Sequence, residues 1–243
     1  YKRFEYYLSF AIIVIPVILV LSMRYSELGF QVSYTAENPM SIFSIAVAAF
    51  GMANSLGVYH LIIGILASNI YSHEIESGYY MMYFPKIEST KKLYMAKLRV
   101  LIESLLVHFG LFMLSGIIFG FLFIQESQVT TRAFLGDQDL FFICNFTALV
   151  FEMLTFAAIV YTSGLYLKVM QNIMFSVALF VLQKFLRGVN FIKYLLPAYY
   201  LNNLSNLPIT DKESIIKQTL LILGICPVYI IIACLTGRKK RFK

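Results

Sequence analysis

Charge is what this sequence has least of. Asp, Glu, Lys and Arg make only 14% of its 243 residues, against about 25% in a typical soluble domain. Apolar residues make 59%, and the mean hydropathy is +0.75. Such a chain cannot cover its own surface with polar groups in water, so it reads as an integral membrane protein. Tryptophan is absent, while 22 Phe and 17 Tyr suit surfaces that face lipid and headgroups. The three cysteines, Cys144, Cys226 and Cys234, all lie in apolar runs with no CxxC spacing, which argues against a disulfide framework and against a zinc site.

Catalytic patterns are missing too. His73-Glu74-Ile75-Glu76-Ser77 begins like HExxH, but Ser77 stands where the second ligand must be. Ser115-Gly116 and Ser163-Gly164 lack a glycine two residues before the serine. No G-x-x-x-x-G-K-[ST] occurs, so energy from ATP would have to arrive through a partner. The chain is therefore read as a non-enzyme with no metal site. The alternation of a transmembrane barrel is also lacking. The net charge of +7 does not point to nucleic acid, because the basic residues cluster at the ends of apolar runs, where they set membrane topology.

What is present is a series of long apolar runs. A helix needs about 20 mostly apolar residues to cross a bilayer, and six segments qualify or nearly so: 6–23, 38–72, 99–125, 140–167, 168–183 and 218–237. The first follows Lys2 and Arg3 as a secretory leader would, but it is long enough to span and no small-residue cleavage site follows. The chain opens on Tyr1, so a short preceding piece is expected. The second run is far longer than one span and is expected to project beyond the membrane as a continued helix. The reading is an all-α membrane protein of six transmembrane helices forming a single permease-like domain over residues 1–243. Thirteen basic residues fall on one side if both termini are cytoplasmic, against seven on the other. By the positive-inside rule both ends are cytoplasmic, in a multi-pass cell membrane protein, most simply of a bacterial plasma membrane.

Two connections exceed simple turns. Residues 72–98 mix charge with the run Tyr79-Tyr80-Met81-Met82-Tyr83-Phe84, then Pro85. A cytosolic segment this apolar should lie on the membrane or dock onto a partner protein. Residues 184–217 contain the apolar stretch 194–201, with Tyr194, Pro197, Tyr199 and Tyr200. Too short to span and interrupted by proline, it is expected to dip into the bilayer and return, its backbone covered by the bundle.

Intramembrane polar groups mark further candidates, because a charge at the bilayer centre costs on the order of 3 kcal/mol. Glu152 shares a helical stripe with Asn145, Ala148, Thr155 and Thr162, a polar-to-small face expected to look into the bundle. It is read either as a substrate or gating contact or as an interhelical hydrogen-bonding residue, with no obvious basic partner in the membrane. Glu103, four residues after Arg99, pairs locally. Gly116 and Gly120 form a GxxxG pair that permits close helix contact. His60 and His108 are expected to be buried and hydrogen-bonded. The tail from Arg238 to Lys243 reads as an anchor against anionic lipid.

The order Glu74-Ile75-Glu76-Ser77-Gly78, then Pro85-Lys86, then Lys97 resembles the pattern of ABC-2 type exporter permeases. The six spans and the proline-containing re-entrant segment before the last helix agree with it. The elbow helix usual in that family would precede the first span, where only about four residues stand here, which leaves it missing or trimmed. The resemblance implies a coupling element at Glu74, Ile75, Glu76, Gly78, Tyr79, Tyr80, Met81, Tyr83 and Phe84. It would sit in a groove of a cytosolic ABC ATPase, packing through its aromatics and pairing Glu74 and Glu76 with the partner's basic groups. It further implies ATP and Mg on that ATPase, no cofactor on this chain, and a second permease chain, identical or a sister. Small permeases of this kind resemble exporters of antimicrobial or toxin peptides, so the expected cargo is a hydrophobic or amphipathic peptide. An ion- or proton-coupled secondary transporter and a non-transporting peptide-immunity subunit are the alternatives.

Overall fold

The computed structural model describes residues 14–18, 40–78, 90–123, 131, 133–136 and 139–239. Its regular elements are helices: α1 (Ile42–Ser55), α2 (Val58–Ala67), α3 (Thr90–Phe123), α4 (Asp139–Ser163), α5 (Val169–Leu186), α6 (Pro197–Ser205) and α7 (Lys212–Lys239). α2 continues through a π-turn at Ser68–Ser72 into a last turn at His73–Glu76. α3, α4, α5 and α7 are each long and apolar enough to cross a membrane, and α1 with α2 makes a fifth if that bent pair is one span. Among the described residues the protein is thus helical in its regular structure, with four to five candidate spans. The expected span at 6–23 lies outside the described residues except for 14–18, where Pro16 is buried and Ile15 packs on the core.

The long run at 38–72 is not one projecting helix, as its uninterrupted hydropathy suggested. It breaks at Leu56-Gly57, and its two arms meet at 67°. Gly57 takes a φ of +78°, the left-handed geometry that ends helices and that side chains with a Cβ resist. Its N–H bonds the Asn54 carbonyl, and its own carbonyl accepts from Leu61 to start α2. Both arms are apolar on every side, so periodicity alone cannot reveal the break. An aromatic cluster holds the bend: the Phe50 ring of α1 lies 4.8 Å from Tyr59 of α2, 5.5 Å from Phe109 and 5.3 Å from Phe112 of α3. In lipid such contacts stabilise through packing rather than removal from water.

At one end of the bundle the N-termini of α1 and α4 share one carboxylate. Asp139, in the first turn of α4, accepts from the hydroxyls of Ser41 (2.7 Å) and Ser44 (2.9 Å) and from the Gly136 N–H. A negative charge between two helix N-termini satisfies their free donors and their dipoles together. Small residues bring helices close. Gly116 of α3 faces Ala46 of α1, where a Cβ would stand 3.1 Å from the alanine Cβ. Gly64 of α2 lies against Ser176 of α5, a contact that the expected Gly116–Gly120 pair did not foretell.

The segment after α5 departs from its expected form in one respect. Pro197 does not interrupt a helix; it opens α6 at the first-turn position, where its missing N–H costs nothing. Pro197, Ala198, Leu201 and Leu204 are buried. Just ahead, the Tyr229 hydroxyl donates to the Leu195 carbonyl at 2.8 Å. Tyr229 lies well inside α7, so this turn meets the last helix roughly 25 Å along its axis from Lys212. α6 then climbs back along α4 and α7 toward the start of α7.

Candidate functional site

α1, α4, α5 and α6 enclose a cavity of about 690 Å³. Its apolar wall includes Val47, Phe141, Phe142, Leu149 and Leu201, and its polar wall Asn54, His60, Asn145, Glu152, Lys184 and Arg187. The bend at Gly57 creates the polar side by aiming His60, one turn into α2, at α4. His60 Nε2 lies 3.6 Å from Glu152 Oε1, both side chains nearly fully buried. The expectation that Glu152 lacks a basic partner is corrected here: His60 faces it, and the Arg187 guanidinium at the end of α5 feels its charge. Neither sequence separation nor helical stripe connects these positions; only the broken helix does.

His60 differs from expectation in another way. Its ring meets Phe156 edge-on (4.5 Å) and lies tilted against Phe180 (4.4 Å), and among the described residues neither ring nitrogen has a hydrogen-bond partner. Asn54 Oδ1, Glu152 Oε2 and Arg187 Nε are likewise buried without one. Buried polar atoms normally carry hydrogen bonds, and among the described residues most of those that do not lie on this cavity wall. His108 meets the expectation only in part: it is half-buried rather than buried and bonds the Ser104 carbonyl through Nδ1 at 2.6 Å, while its Nε2 has no hydrogen-bond partner among the described residues.

The stripe on α4 looks inward as expected, but it divides. Asn145 and Glu152 line the cavity. Thr155 instead bonds the Phe151 carbonyl at 2.8 Å and neighbours the Cys226 thiol on α7. Thr162 shares a hydrogen bond of 2.8 Å with the Tyr94 hydroxyl of α3. In the segment after α5, Tyr200 donates to the Tyr194 carbonyl at 3.0 Å, and the Tyr194 and Tyr199 rings lie 5.6 Å apart. These tyrosines brace the turn; the cavity takes Leu201, Asn202 and Ser205 from the same segment. Sequence reasoning missed Lys184, Arg187, Asn54 and His60 as members of one site. The available signal was a run of cations in 184–217 that broke the topology rule.

At the other end of α2, the expected coupling segment is partly visible. Tyr79, Tyr80, Met81, Tyr83 and Phe84 lie outside the described residues, as does the side chain of Ile75. Gly78 takes a φ of +74°, turning the chain out of the last helical turn. Glu74 pairs with Lys97 of α3, and Glu76 accepts the Val169 N–H at the start of α5, 3.2 Å away. Both carboxylates thus have partners inside the chain. The π-turn above them is pinned as well: Asn172 of α5 donates to Ser68 Oγ (3.0 Å) and to the Val160 carbonyl (3.2 Å), and Ser72 donates to the Gly164 carbonyl (3.1 Å). One element, residues 58–76, therefore runs from the cavity's polar wall to the turn at Gly78.

No family model matches this chain, and neither does any curated protein or any solved structure.

Proposed function

We propose that this chain is the membrane permease subunit of an ATP-driven exporter of the ABC-2 type, exporting hydrophobic or amphipathic peptides from the cell. It crosses the membrane six times with both termini in the cytoplasm, and residues 184–217 form its extracellular, re-entrant segment. It works with a second permease chain and a cytosolic ATPase that holds ATP and Mg. The observation that carries the reading is the mechanical continuity of residues 58–76. The coupling-like sequence begins in this element, which is tied to α3 through Glu74–Lys97 and to α5 through Glu76 and ends at the Gly57 bend beside the cavity. A push on the loop by a closing ATPase dimer would swing α2 about Gly57 and move His60 against Glu152, changing the cavity between two packings.

A second reading draws on one specific observation. The His60–Glu152 pair beside a broken helix is the arrangement that coupled secondary transporters use at mid-membrane. The two are separated by a gentle-detergent pull-down of the chain from its native membrane, followed by mass spectrometry. Stoichiometric recovery of a soluble subunit with a P-loop supports the exporter. Recovery of the chain without an ATPase, even after cross-linking within 72–98, overturns it in favour of ion-coupled transport, for which Glu152→Gln should abolish uptake or efflux.

A further inference from the structure

The cavity's charges do not cancel. Four ionisable side chains stand on its wall: His60, Glu152, Lys184 and Arg187. Two of these are permanent cations and one is a carboxylate, so the wall carries a surplus positive charge even with His60 neutral. Lys184 does not spend its charge on an acid: its ammonium donates to the Ser55 carbonyl at 2.7 Å and lies 4.5 Å from the centre of the Phe180 ring. Among the described residues neither Lys184 nor Arg187 has a carboxylate within 4.0 Å, and Arg187 Nε is buried without a hydrogen bond. Arg187 is half-buried, which makes its charge costly, and an anion brought beside it offsets that cost, with the exposed Lys184 as a second attraction. The rest of the lining includes hydrocarbon and aromatic surface, through Val47, Phe142, Leu149 and Leu201.

We propose that this cavity binds an anionic amphipath, a molecule with a carboxylate or phosphate group beside an apolar surface. The anion sits at Lys184 and Arg187, three residues apart at the end of α5 and therefore on one face. The apolar part lies along α1, α4 and α6. Glu152, on the same polar wall, opposes the anion and is faced by His60. The inference deepens the export reading, on which its description as a cargo site rests; binding to the isolated chain does not depend on that reading or on an ATPase.

The test uses the full chain purified in dodecyl maltoside. Because the sequence holds no tryptophan, Phe142→Trp places a single fluorophore on the wall, and all variants are made in that background. Laurate and dodecyl phosphate should each bind saturably, whereas dodecyltrimethylammonium and dodecanol should bind at least tenfold more weakly. Lys184→Gln with Arg187→Gln should weaken the anionic probes about tenfold or more, the effect of removing one half-buried and one exposed favourable charge. Glu152→Gln should tighten them, a gain that a misfolded protein cannot show. Equal affinity for the cationic and anionic probes, or unchanged laurate binding in the double variant, overturns the proposal, as does weaker binding in Glu152→Gln. The source of the anion is read by competition. Displacement by an amphipathic peptide with a free C-terminal carboxylate but not by its amide supports cargo. Displacement by phosphatidylglycerol in nanodiscs supports a lipid headgroup.

Discussion

Replacing Gly57 by alanine tests the bend on which the cavity depends. Two costs can be worked from the structure. The residue's φ of +78° is left-handed, which costs a residue with a Cβ about 1–2 kcal/mol. The new Cβ would also stand 2.6 Å from the Phe180 ring edge, an overpacking worth about 1–3 kcal/mol. Gly57→Ala should therefore destabilise the protein by about 2–5 kcal/mol in all. Phe180→Leu removes the ring and with it the second cost, so in that background Gly57→Ala should cost only about 1–2 kcal/mol. The coupling energy of the cycle should then be about 1–3 kcal/mol. The assay is unfolding in mixed dodecyl maltoside and dodecyl sulfate micelles, followed by far-ultraviolet circular dichroism. A Gly57→Ala variant as stable as the parent would refute the constrained bend. Strictly additive costs would refute the Phe180 contact.

Three further outcomes follow from the same geometry. Asn172→Ala removes a fully buried amide that bonds Ser68, the Val160 carbonyl and the Ser163 hydroxyl; it should cost about 2–4 kcal/mol in the same unfolding assay, and an unchanged midpoint would show that the π-turn is not pinned there. On the proposed export reading, Glu74→Lys should break the tie between residue 74 and α3 and uncouple ATP-driven transport, with Lys97→Glu restoring it in the double variant. Transport untouched by the single reversal would sink the coupling role. Asp211 caps α7 by accepting the Ser214 N–H at 3.1 Å, and the Ser214 hydrogen bonds hold its carboxyl below the ordinary carboxylate range. Because the folded-state value is depressed, its stabilisation is present at neutral pH and lost as pH falls below about 4. Asp211→Asn should leave a smaller loss of thermal midpoint between pH 6 and pH 3 than the parent shows.

Much of the architecture was legible in the residues because a membrane leaves few choices. Helices α3, α4, α5 and α7 announce themselves as apolar runs, since a backbone crossing hydrocarbon must bond internally. Only the ends shift: α3 starts at Thr90 rather than near Arg99, and α7 at Lys212 rather than near residue 218, because a helix continues past the apolar run wherever its polar turns find partners. The stripe on α4 was legible for the same reason, and Ala148, Glu152, Thr155 and Thr162 are all buried. Pro197 was misread as an interruption because hydropathy counts it against a run, while its geometry favours the first turn of a helix.

By itself, then, the sequence determined the solvent this protein lives in, the number of long apolar helices among residues 90–239, and Glu152 as the polar residue to watch. Composition and period suffice for these, because each is a local consequence of moving a backbone from water into lipid. The partners were decided only by the tertiary structure. A glycine at Gly57 reads like any other glycine in an apolar run until Phe180 and the Phe50–Tyr59 cluster hold it left-handed. That one bend brings His60 to Glu152 and, with the end of α5, puts Lys184 and Arg187 on the same wall. Electrostatic partnership depends on distance through space, and residues 60, 152 and 187 acquire that distance only when the helices pack.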